Sequence, residues 1–107
     1  MELTSVVTPG VESGVPHGAC LTAFAEAVLG TDATALVAAR QQVLAELGPA
    51  GLVDAAAVVA TFMQMDRIAD GAGIPLDAAF VEPTQEMRTR LGFNDFASAQ
   101  NTLSVVT

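Results

Sequence analysis

The 107 residues suffice for one domain with a single core, and 51% of them are apolar, with five Phe and neither Trp nor Tyr. Twelve acidic residues against four arginines and no lysine give a net charge of −8. That balance leaves no basic stripe to neutralise a nucleic-acid backbone and disfavours an anionic membrane surface. A core of Ala, Val, Leu and Met suits close helix packing, so the expected fold is all-α: a compact bundle of four to five helices with an irregular N-terminal arm. The apolar surplus predicts surface hidden against another subunit, and hence a homo-oligomer.

Residues 1–18 read as the irregular arm, because Pro9, Gly10, Gly14, Pro16 and Gly18 interrupt it too often for a helix. Val6, Val7, Val11 and Val15 are expected to pin it to a groove. A first helix is predicted from Ala19 to Leu29, with Leu21, Phe24, Ala25 and Val28 at i, i+3, i+4, i+7 spacing and Gly30 as its C′ residue. Thr31 or Asp32 then caps a second helix, which Gly48 closes.

On the second helix Leu36, Val43, Leu44 and Leu47 define an apolar face, and Arg40 falls in the middle of it. Either its stem packs while the guanidinium reaches water, or it is buried against an acid, with Asp66 and Asp70 the natural partners.

Pro49 suits the first position of a third helix, predicted to run to Asp70 or Ala72 before Gly71 and Gly73 stop it. This helix is apolar almost all round, so it reads as central in the fold. Asp54, Thr61 and Gln64 make a thin polar strip, whereas Asp66, Arg67 and Asp70 continue the face of Leu52, Val59 and Met63. Charges that extend an apolar face must be paired, sit at an interface, or line a pocket. Arg40, Asp66, Arg67 and Asp70 are therefore the candidate polar pocket.

Beyond Pro75, Asp77 is expected to cap a short turn, and Pro83 and Thr84 to start a helix carrying Met87 and Leu91 that Gly92 ends. Asn94 reads as the N-cap of a last short helix holding Phe96 and Ala99. The apolar tail from Leu103 to Thr107 is expected to pack on a neighbour. The whole is one helical domain: the arm 1–18, a helical core 19–77 and short helices over 78–107.

Cys20 and His17 are the only cysteine and the only histidine, at HxxC spacing. Two potential ligands are too few for a structural metal, so neither metal nor cofactor is expected. Cys20 near a helix N-terminus, helped by His17, is a candidate reactive thiol; the alternative is an inert, buried cysteine acting as a small apolar group. No basic and apolar leader opens the chain. The apolar run of the third helix, interrupted by Asp54 and Gln64, reads as too short to span a bilayer, which makes a soluble cytoplasmic protein the expectation.

The segment from Leu21 to Asp77 resembles the C-terminal helical half of the alkylhydroperoxidase D-like and carboxymuconolactone decarboxylase-like superfamily. The resemblance rests on the FAEAVLGTD turn, on the third helix from Asp54 to Asp70, and on the GAGIPLD that follows. It implies an all-α fold that assembles as symmetric oligomers through apolar helices. Redox-active members carry a CxxC pair with a nearby Glu and His on an upstream helix, whereas here Cys20 is a lone thiol, so no catalytic residue carries over. Asp66, Arg67 and Asp70 match the region of the family's Asn-Arg-x-Ala-Asp pattern, with Asp66 in place of Asn.

Two functions follow as expectations. One is a non-redox, oligomeric binding or accessory module. The other is a cofactor-independent enzyme or small-molecule binder, in which an arginine of the candidate pocket clamps a carboxylate and a desolvated aspartate serves as general base. Peroxidase or disulfide-reductase turnover is not expected from one cysteine.

Overall fold

Asp32 starts the longest element of the protein: its Oδ1 accepts from the backbone N–H groups of Thr34 at 2.9 Å and Ala35 at 3.1 Å, satisfying two donors the first helical turn leaves free. The computed structural model describes the backbone of residues 1–106 and the side chains of residues 1–102. Its helices are α1 (Gly18–Leu29), α2 (Ala33–Ala72), α3 (Ala78–Val81), α4 (Gln85–Arg90) and α5 (Ala99–Val106), with single 3₁₀ turns at Leu3–Val6 and Phe93–Asp95. The fold is all-α, and no strand occurs among the described residues. The chain forms two compact units, Met1–Met63 and Gln64–Thr107, and α2 contributes to both.

In the first unit α2 breaks at Gly48, where φ 73° and ψ −179° lie in a region that only glycine enters without strain. Pro49 follows as the opening residue of the second segment, as expected. Cys20 and Phe24 of α1 meet Ala39 and Val43 of α2 in the core, with Leu36, Leu47, Leu52, Ala55 and Val59 packed around them. Two differences from the sequence reading appear at α1. The helix starts one residue earlier, at Gly18, and Gly30 ends it with φ −84°, donating to the Glu26 carbonyl at 2.9 Å rather than taking the left-handed C′ form.

The arm is irregular apart from its 3₁₀ turn, as its glycines and prolines require. A backbone bond from Glu2 N–H to the Ser13 carbonyl, at 2.7 Å, closes it into a loop. Val6, Val7, Val11 and Val15 do not bury themselves as anchors; all four are exposed along the rim of the groove the arm encloses.

The reading of the third helix as central is corrected. The face of Leu52, Ala55 and Val59 docks on the core, but Val53 is 67%, Val58 56% and Phe62 58% exposed. One face meets α1 and the first segment of α2, while Val53, Val58 and Phe62 stay exposed. The expectation that this run is too short for a bilayer is also corrected, since α2 is long and apolar enough, by length and composition, to cross one.

In the second unit α2 ends in a paired stop. Ile74 N–H bonds the Ala69 carbonyl at 3.0 Å and Gly73 N–H the Asp70 carbonyl at 3.2 Å, with Gly73 left-handed at φ 66°. This is the Schellman arrangement that a glycine at C′ permits. Asp77 caps α3 by accepting from Ala79 N–H at 3.1 Å, as expected. Leu91 is buried beyond α4, and Gly92 turns the chain at φ 74°.

Asn94 is not the expected N-cap. It lies inside the 3₁₀ turn, and its Oδ1 accepts from Arg88 Nη1 at 2.8 Å. Arg88 also donates from Nε to Thr84 Oγ1 at 3.0 Å and from Nη2 to the Val81 carbonyl at 2.6 Å. Three acceptors from separate turns are thus tied to one guanidinium, which uses its planar fork as a lysine cannot. Thr102 Oγ1 accepts from Leu76 N–H at 2.7 Å, fixing the start of α5 to the segment after α2. The side chains of the tail from Leu103 to Thr107, expected to pack on a neighbour, lie outside the described residues.

Candidate functional site

The polar centre of the first unit is Glu46, a residue the sequence reading passed over. It projects from the first segment of α2 three residues after Val43 and seven after Ala39, the two core positions of that helix, so it shares their side of the cylinder. His17 Nδ1 donates to Glu46 Oε2 at 3.0 Å, and Gln42 Nε2, one turn earlier on the same helix, donates to Oε1 at 3.1 Å. Cys20 and this carboxylate line one groove. His17 itself precedes α1 with φ 57°, the one non-glycine residue with positive φ among the described residues.

These contacts decide the chemistry of Cys20. The residue is 3% exposed, and burial pushes its thiol up from the ordinary cysteine value; the negative charge of Glu46 and the hydrogen bond to it push in the same direction. The thiolate is the nucleophilic form, and these effects all disfavour it at Cys20. His17 reaches Glu46 rather than serving Cys20 as a base. Glu46 in turn is held below the usual carboxylate range, first by the hydrogen bond from His17 and then by that from Gln42. A groove of about 790 Å³ opens beside this cluster, lined by the arm, by Cys20 and Glu26 of α1, and by Gln42 and Glu46 of α2.

The candidate Asp/Arg pocket has a different character. Arg40 belongs to the first unit, where it is exposed and makes no ion pair with another residue of that unit. The physical reason is a rotation of the helix face. Leu44, counted as apolar-facing, is 39% exposed, while Ala39 is buried. The true face is centred between Ala39 and Leu47, which turns Arg40 to its solvent edge and brings Glu46 to the opposite edge, beside Cys20.

Asp66, Arg67 and Asp70 belong to the second unit. All three are exposed, and no ion pair joins any two of them. The structure therefore brings together His17 and Cys20, the pair noted for HxxC spacing, through a third residue. Among the described residues no group of three or more His, Cys, Asp or Glu has the arrangement to hold a metal ion. Compared with family models, curated proteins and solved structures, the chain matches none.

Proposed function

We propose that the protein is a non-redox helical module, soluble and cytoplasmic, that works by associating with further copies of itself, as its resemblance to alkylhydroperoxidase D-like proteins implies. In the assembly, helices from neighbouring copies complete a compact bundle around α2. The observation that carries this reading is the exposure of Val58 and Phe62, one turn apart on one side of α2, and of Val53 on another side, while Leu52, Ala55 and Val59 pack in the core. Apolar surface of that kind is stabilised by removal from water at about 25 cal/mol per Å², and around Val53 the small side chains of Ala56, Ala57 and Ala60 let a second backbone approach closely. Replacing Phe62 by Glu tests the proposal: the variant is expected to sediment as a smaller species than the wild type. Equal sedimentation would remove this face from the interface.

A second reading is favoured by one observation, an 18-residue window of α2 with mean hydropathy 1.6, of which 6% is buried. Against a membrane span stand Asp54, which at the centre of a bilayer costs about 2.5–3.5 kcal/mol, and the commitment of Leu52, Ala55 and Val59 to packing on the first unit's own helices. Fractionation separates the two readings, since a spanning protein partitions with membranes and resists extraction by carbonate.

A further inference from the structure

The arm that precedes α1 is closed on itself by the bond between Glu2 and Ser13, and its far end is turned by Gly18 N–H bonding the Val15 carbonyl at 2.9 Å. Between these two fixed points and the helices, one side-chain tie is the bond from His17 to Glu46, spanning 29 residues of sequence. His17 holds a left-handed backbone, a conformation in which histidine is enriched among residues with a side chain, and its ring makes the 3.0 Å contact with Glu46. Cys20, one turn into α1, lines the same groove as the arm yet is 3% exposed.

We infer that His17 and Glu46 form a latch that closes the N-terminal arm against α1 and α2 and keeps the Cys20 thiol out of reach of solvent reagents. The other titratable groups lining the groove are Glu12 of the arm and Glu26 of α1, both carboxylates. His17 is therefore the one side chain there able to donate from a ring nitrogen to Glu46 without adding negative charge. When the latch opens, the arm is freed from α2 at its helix-proximal end, and Cys20 becomes accessible through a local opening that leaves the helices in place. The latch is independent of the assembly proposed above, because none of its residues lies on the second segment of α2 with Val53, Val58 and Phe62.

The test uses the full chain and the substitution His17→Gly, which removes the imidazole while suiting the left-handed backbone, so that lost pairing is not confused with added strain. The reaction of Cys20 with a chromogenic aryl disulfide is followed at fixed pH, and amide hydrogen exchange is measured over residues 11–17. A partly exposed hydrogen bond of this kind corresponds to a rate increase of about threefold in both measurements, with helix content by circular dichroism unchanged. Glu46→Gln, read by exchange alone because it also removes the charge beside Cys20, is expected to loosen the same residues. Wild-type rates in His17→Gly, or exchange in residues 11–17 unaltered by either substitution, would overturn the latch.

Discussion

Glu46 and Cys20 lie 26 residues apart in sequence and line one groove, where the carboxylate acts on the buried thiol as a negative charge and as an acceptor. Both effects favour the protonated sulfur. The protein's one cysteine is thereby placed where nucleophilic chemistry is suppressed, which agrees with a role in packing.

Peroxide consumption is expected to show this directly. With an external thiol reductant, wild type and Cys20→Ser should consume hydrogen peroxide at the same background rate. Rapid consumption that depends on Cys20 would require an opened, deprotonated thiol and would contradict the buried, Glu46-bound state.

The pH dependence of stability follows from Glu46. Its folded-state pKa lies below the ordinary carboxylate value, so its contribution to stability is fully present above that ordinary value and is lost as pH falls through the lowered one. Denaturant unfolding of wild type and Glu46→Gln should therefore differ near neutral pH and converge as pH falls through the lowered Glu46 value. A difference that persists unchanged in acid would show that the carboxylate's charge is not what the fold uses.

Gly48 is the sharpest backbone constraint. Its φ and ψ lie in a region that costs a residue with a Cβ about 1–3 kcal/mol, although no atom stands within 4 Å of where that Cβ would be. Gly48→Ala should lower Tm by roughly 4–8 °C per kcal/mol in a domain of this size. An unchanged Tm would mean that the two segments of α2 join without this kink.

The arginines separate by their partners. Arg88, part-buried with three acceptors, is expected to cost about 2 kcal/mol when replaced by Ala, whereas Arg40→Ala and Arg90→Ala should each stay within about 0.5 kcal/mol of wild type. Equal Tm shifts for Arg88→Ala and Arg90→Ala would remove the guanidinium clamp from the description of the second unit.

Much of the helical plan was legible in the residues, for reasons that are local. Asp32, Gly48, Pro49, Gly73 and Asp77 act through their own backbone or through donors two or three positions away, so their roles can be read without knowing the fold. What was not legible depends on rotation about a helix axis. Counting Leu44 with the apolar face and leaving out Ala39 shifted the inferred face enough to place Arg40 inside and to hide Glu46. Asn94 misled for a related reason: an asparagine before an apolar segment suits an N-cap, but Arg88, six residues back, took its side chain. A periodic pattern that finds α2 also cannot say how much of an all-round apolar helix its own chain covers. Here the chain covers one face.

That uncovered face is the centre of the proposed function, and the mass of the wild-type protein in solution tests it most directly. Light scattering at micromolar concentration is expected to give an integral multiple of the 10.9 kDa chain mass, falling on dilution or on Phe62→Glu. A monodisperse species of the single-chain mass at that concentration would contradict self-association through α2.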